Sequence, residues 1–430
     1  MSAMQTAAPA ASTGSAGAKC TTPAHAAPLS KCPSSASLDS SPASDADGSA
    51  LASATLCEQA SSEKVANTHS REIAFIDLSP AELDMRGALG GRAAETIECL
   101  RVNRCRMDGH SFAVLVDALC RMELPNLHTV DVSQNHIGGA QAGAALAKLL
   151  SHARAVRALS LGWNRLALAD LGAIATSSAG PHNIRHLDLR ANPLAAPSQK
   201  RDQRKGAHVG GGGGVCSDAW IAELARSMPQ LTHLLLAQAT INDNTLVALL
   251  HALTSQVPQL EYIGLEWLGL GGRLATVRSI MSQLAPANLA ARPLPLHLNL
   301  ASNNLGDSGV KIIAESGAML SSLTLACNFI TERGTGILAE WLPASGLTGL
   351  ELSDNHFGDQ GVSSLLATDG RRVSADSPYT TLTSLGLNSC CLGDASLRML
   401  TDALDCNWAS LASLRILRNG RISRGARIPL

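Results

Sequence analysis

One frame recurs along this chain: L-x-x-L-x-L-x-x-N-x-L, where L stands for an apolar residue. The stretch Pro295 to Gly317, PLHLNLASNNLGDSGVKIIAESG, shows it whole. Leu298 and Leu300 stand two apart, as on one face of a strand. Asn303 and Leu305 follow, and after Gly306-Asp307 the residues Val310, Ile312 and Ile313 return at helical spacing. Such a unit reads as a strand, a turn built on asparagine, and a returning helix. Alone it cannot bury its apolar residues, so it requires copies stacked against it. Twelve copies open at Ile73, Ile97, Leu127, Val156, Ile184, Leu231, Leu260, Pro295, Leu320, Leu347, Leu382 and Leu411.

The ninth frame position holds Asn135, Asn164, Asn192, Asn303, Asn328, Asn355 and Asn419. An amide at the bend can satisfy backbone groups of neighbouring turns that would otherwise be buried unpaired. Cys105 and Cys390 take the same slot, where a thiol is a weaker donor. An acid recurs two residues past the frame, at Asp243, Asp307, Glu332, Asp359 and Asp394. That is where each helix should start, and a carboxylate there is expected to cap its free N–H groups. Strands stack about 4.8 Å apart and helices about 8–10 Å apart, so strands inside and helices outside give a curved array.

From about Arg71 to Ile422 the chain resembles the leucine-rich repeat superfamily. The period near 28 residues and the helical return resemble its ribonuclease-inhibitor-like subclass. Ran GTPase-activating proteins and the sensor arrays of NOD-like receptors belong to that subclass. The resemblance implies an α/β solenoid, a curved horseshoe with parallel strands on the concave face and helices on the convex face. It implies a shared scaffold and no shared chemistry.

Outside the frame lie four further segments. Residues 1–70 are rich in Ala, Ser and Pro without a single aromatic, so they are expected to form a disordered arm. An insertion at 195–215 carries Lys200, Arg201, Arg204, Lys205 and a polyglycine run; a tolerated surface loop is favoured over a basic hook for a partner. The stretch Ala367 to Thr380 reads as another loop. Residues 423–430 form a basic tail after the repeat domain 71–422. The net charge of −1 provides no field for nucleic acid or membrane. No 18-residue apolar run and no export signal are found, and Ser2 stands where myristoylation needs glycine. The eleven cysteines then read as reduced thiols. A cytoplasmic monomer is expected, with nuclear or ciliary and flagellar locations as alternatives.

Catalytic signatures are missing. Gly269-Leu270-Gly271-Gly272 lacks the Lys-Ser/Thr of a phosphate loop, and neither G-x-S-x-G nor H-E-x-x-H occurs. No enzyme activity, cofactor or metal is expected. Frame positions three, five, seven and eight should project from or beside the concave face. They carry His186, His233, Tyr262 and His297 at position three, Trp163 and Trp267 at position eight, and acids including Asp188 and Glu266. These eight residues are the candidate partner-binding set, because aromatics outside a core are candidate interface anchors. A His–His–Tyr–His column on a flat ladder does not converge tetrahedrally, which argues against a metal there. The expected function is a non-enzymatic scaffold or adaptor that binds a protein on its concave face. The alternatives are a GTPase-activating regulator resembling the Ran family, or a flagellar or ciliary structural scaffold.

Overall fold

The computed structural model describes residues 71–76, 97–175, 180–194, 219–285, 296–366, 381–406 and 410–423, all within the unit His69–Leu430. The arm 1–70, the insertion 195–215, the stretch 367–380 and the basic tail beyond Ser423 lie outside the described residues.

Twelve strands pair in sequence order within one sheet. They are β1 Arg71–Ile76, β2 Ile97–Asn103, β3 Thr129–Asp131, β4 Ala158–Ser160, β5 His186–Asp188, β6 His233–Leu235, β7 Tyr262–Gly264, β8 Leu296–Asn299, β9 Leu320–Thr324, β10 Gly349–Glu351, β11 Ser384–Gly386 and β12 Ser413–Arg415. Every pairing is parallel, and like frame positions face each other, as in Val130 with Leu159 and Leu298 with Leu323. The helices run between strands: α1 Gly109–Leu119, α2 Ala140–His152, α3 Leu168–Ala175, α4 Ala219–Ser227, α5 Asp243–Gln256, α6 Leu274–Gln283, α7 Gly306–Glu315, α8 Glu332–Ser345, α9 Gly358–Leu366 and α10 Asp394–Cys406. This is a curved α/β leucine-rich repeat solenoid, strands on one side and helices on the other.

Frame positions four and six form the floor of the core. Leu100, Val102, Val130, Val132, Leu298, Leu300, Leu323 and Leu325 are all buried. Each such side chain contributes about 1.5–3 kcal/mol by leaving water. The helices close the core from the other side through residues at three- and four-residue spacing, such as Phe112, Leu115, Val116 and Leu119 of α1. A single cluster of buried apolar residues runs from Ile97 to Ala403.

The first unit departs from its expected frame. Ile73 stands opposite Leu100, and Phe75 opposite Val102. The unit is therefore shifted by three residues, with Ile73 at position four rather than position one. Ile73 and Phe75 alternate as strand residues must, so the apolar alternation in 71–76 sets the register.

The ladder asparagines do what an amide at the bend can do. Asn328 Nδ2 donates to Leu300 O at 2.9 Å, in the preceding repeat, and to Ala326 O at 3.1 Å. Its Oδ1 accepts from Asn303 N at 3.1 Å and Leu305 N at 3.2 Å. Asn355 repeats the set against Leu325 O, Asn328 N and Ile330 N. In the cysteine slot, Cys390 Sγ donates to Leu352 O at 3.4 Å, the same preceding-repeat carbonyl.

The recurrent acids act differently from the expectation. All five lie in the first turn of their helices, but the bonds of Asp243, Asp307, Asp359 and Asp394 reach into the next repeat. Asp307 accepts from Thr331 N at 2.9 Å and Thr331 Oγ1 at 2.7 Å, at the start of the next helix. Asp359 accepts from Gly393 N at 2.8 Å and Ser396 N at 3.2 Å, again one helix onward. Asp394 accepts from Ser423 N at 2.8 Å, and Asp243 pairs with Arg273 at 2.6 Å. Own-helix capping falls to other residues, Asp108, Asn242 and Thr331. Parallel helices start side by side, so a first-turn carboxylate reaches its neighbour's free N–H groups as easily as its own.

Candidate functional site

The bend after each strand is the chemically unusual part. At frame position eight, every unit from Arg104 to Arg418 has a left-handed backbone, with φ between 52° and 59°. The turn that swings the ladder asparagine inward requires this conformation. For an L-residue other than glycine, asparagine or aspartate it costs about 1–2 kcal/mol. Trp163 and Trp267 occupy two of these positions, each at φ 58°. Phe329 occupies a second left-handed site two residues on, at φ 57°.

All three rings face water: Trp163 is 51 % exposed, Trp267 56 % and Phe329 68 %. Among the described residues, the exposed large apolar side chains are Val114, Trp163, Trp267, Met319, Phe329 and Leu417. Four of these six sit in post-strand bends, on one rim of the sheet. Trp163 and Trp267 are three strands apart, about 14 Å, and Trp267 and Phe329 two strands apart, about 10 Å.

On the strand face beside this rim, position three brings His186, His233, Tyr262 and His297 into one column. The ring centroids are 4.4 Å apart for His186 and His233, 5.7 Å for His233 and Tyr262, and 4.8 Å for Tyr262 and His297. Burial lowers the imidazole pKa of all three histidines. For His186, burial and then the neighbouring His233 bring it to about 4. Tyr262 is buried within this column and stands outside the apolar core cluster. Its ring is held between two imidazoles and its hydroxyl is tied to the polar group described next. Among the described residues no three His, Cys, Asp or Glu side chains gather as metal ligands.

Two carboxylates lie between the column and the rim. Asp188 accepts from the Arg190 backbone N–H at 3.0 Å and binds its guanidinium through Nε at 3.0 Å and Nη2 at 2.8 Å. The backbone part of this is a repeat feature: Asp131, Asn299 and Glu351 at the same frame position accept from Ser133, Ala301 and Ser353 N–H. In these four units position five thus supplies a side-chain acceptor to its own turn, a local role that spacing alone does not reveal. Glu266 is a different case. Its Oε1 accepts from Asn299 Nδ2 at 2.6 Å and from the Tyr262 hydroxyl at 3.4 Å. Its Oε2 is buried and has no hydrogen-bond partner. Burial raises the pKa of this carboxyl.

The expected binding residues thus separate into groups. Trp163 and Trp267 lie exposed on the rim. His186, Tyr262, His233 and His297 form a half-buried to buried stack, and Asp188 and Glu266 are buried acids beside it. Phe329 and Asn299 were not singled out from the sequence. Phe329 follows a ladder asparagine, where an apolar residue has no core to fill, and that was the available signal.

Comparison with known proteins agrees with this architecture. The leucine-rich repeat family model matches residues 296–314, 347–366 and 380–400. The human NACHT, LRR and PYD domains-containing protein 13 is 32% identical over 210 residues, 47% of this chain and 18% of that protein. The mouse NACHT, LRR and PYD domains-containing protein 14 is 31% identical over 207 residues, 47% of this chain and 19% of that protein. The chain spans less than a fifth of the length of these curated relatives. Among solved structures, the leucine-rich repeat-containing protein LegL7 from Legionella pneumophila covers 82% of this chain and 92% of its own, at 14% identity and a TM-score of 0.45. The yeast Rad7 and Elc1 complex covers 81% of this chain and 86% of that chain, at 16% identity and a TM-score of 0.35.

Proposed function

Since this chain is a leucine-rich repeat protein, and such repeats serve protein interaction, we propose that it is a non-enzymatic adaptor. Its partner docks on the strand face along the rim of Trp163, Trp267 and Phe329. One observation carries this reading: large aromatic rings stand exposed in bends where the fold does not call for a ring. The left-handed backbone is met at this position by residues as different as Gln238, Ser302 and Arg418, so the bend itself does not call for a ring, and a half-exposed ring gains only part of its burial energy. Residues that cost the fold and face solvent are what a binding rim requires. The column of His186, His233, Tyr262 and His297 supplies a half-buried to buried floor behind it.

The test uses the full chain with Trp163→Asn, Trp267→Asn and Phe329→Asn combined. Asparagine tolerates the left-handed backbone, so the melting temperature is expected to stay within about 2 °C of the original. Affinity capture from a cell extract, compared between the two proteins by quantitative mass spectrometry, should lose a discrete set of proteins. Identical capture by both forms would remove the rim as the docking surface.

A further inference from the structure

We infer that the docking partner carries an arginine side chain that pairs with Glu266, at the inner edge of the rim beside Trp267. This rests on the protein-docking reading above and assigns its chemistry. Two buried carboxylates, Asp188 and Glu266, stand near the guanidinium of Arg190, which binds Asp188 through Nε and Nη2. With both carboxyls ionised the group holds one negative charge in excess. Glu266 is only 9 % exposed, its Oε1 is fixed by Asn299 and Tyr262, and its Oε2 has no partner. A buried carboxylate oxygen without a donor is costly to the fold, and in a binding protein the missing donor is supplied by what binds.

The surroundings fit a cation. Oε2 lies over Gly264 of β7, 2.8 Å from the place a Cβ would occupy, so the absence of a side chain there gives the carboxylate its room. The terminal torsion of a glutamate is soft, and an arriving cation can draw Oε2 outward. The next residue is Trp267, whose exposed ring offers a flat face. A guanidinium is planar, stacks on such rings and binds carboxylates with directional N–H groups, whereas an ammonium does neither as well. Charge complementarity and the stacking face together select arginine over lysine.

The experiment begins with a random-peptide display library selected on the immobilised full chain. Enriched peptides should contain an arginine flanked by apolar residues. One enriched peptide is then made with that arginine and with citrulline, its neutral isostere. Each is titrated by fluorescence polarisation against the original protein, Glu266→Gln and Gly264→Ala. Citrulline and Glu266→Gln should each weaken binding about tenfold or more, and the two together no more than either alone, because they remove the same contact. Gly264→Ala should weaken the arginine peptide and leave the citrulline peptide unchanged. The citrulline exchange needs no protein variant, so it reads out even if a substitution fails to fold.

Additive losses, enriched peptides without a cation, or a library that enriches nothing would overturn the inference. Peptides that lack a cation but are lost on Trp267→Asn would overturn the arginine and leave the rim standing. Peptides indifferent to Trp163→Asn and Trp267→Asn would remove the rim as well.

Discussion

Two polar arrays run side by side through the same repeats, and they are built on opposite terms. The asparagine ladder lies inside the bend, and Asn303, Asn328 and Asn355 are fully buried with donors and acceptor all engaged. A few residues away, Glu266 is also buried, yet one of its oxygens has no donor, and the neighbouring rings stand in a backbone that disfavours them. Burial alone therefore does not tell a structural polar group from a functional one. Satisfaction does: a group whose every valence is met within the chain serves the fold, and one left short is available to something else.

The largest expected effect breaks the first array. Asn328→Ala removes two donated and two accepted bonds in a dry site. The cost is about 3–5 kcal/mol, read as a lower midpoint in urea. A cost below about 1 kcal/mol would mean that the ladder is no better satisfied than Glu266, and the contrast would collapse.

A smaller effect tests the column of imidazoles. His186, His233 and His297 have depressed pKa values in the folded chain, His186 at about 4 against an ordinary 6.5. Between those two values the unfolded chain binds a proton that the folded chain refuses. Stability is therefore full above pH 6.5 and falls as the pH drops toward 4. The rings are partly solvated, so the loss between pH 7 and pH 5 is set at about 1 kcal/mol for His186. A melting series over that range should flatten in His186→Gln. An unchanged slope in the variant would place the titrating group elsewhere.

The smallest effect concerns the rim backbone without its rings. Gln238 has the same left-handed backbone as the tryptophans and carries no aromatic group. Gln238→Gly should gain about 0.5 kcal/mol, the strain relieved less the extra freedom of glycine in the unfolded chain. A loss instead would show that the bend does not strain its L-residues, and the reasoning for Trp163 and Trp267 would weaken with it.

Much of this was legible from residue spacing. The period, the inward leucines and the asparagine ladder follow from a frame that repeats, because each feature is fixed by contacts between like positions. The substitute role of Cys390 followed for the same reason. What spacing missed depends on neighbours that are not in register. The direction in which Asp307 and Asp359 reach is set by the adjacent helix start. The local acceptor role of Asp188 is set by its own turn. The left-handed backbone at position eight leaves no trace in residue type, since Trp163, Gln238, Ser302 and Arg418 all adopt it. The first unit was placed three residues out because two apolar alternations overlap there, and only pairing with β2 chooses between them.

The carboxylates of Asp307, Asp359 and Asp394 reach forward into the following repeat, while the amides of Asn328, Asn355 and Asn419 reach back into the preceding one. A cut between two repeats therefore injures its two sides unequally. The piece before the cut keeps its carboxylates but loses the amide that served its last bend. The piece after it keeps its amides but begins with a helix whose first N–H groups have lost their acceptor. Neither fragment is a shorter version of the whole. In the language of a linear lattice, the bonds between sites carry much of what each site needs, and such a chain melts in blocks rather than by losing one site at a time from its ends.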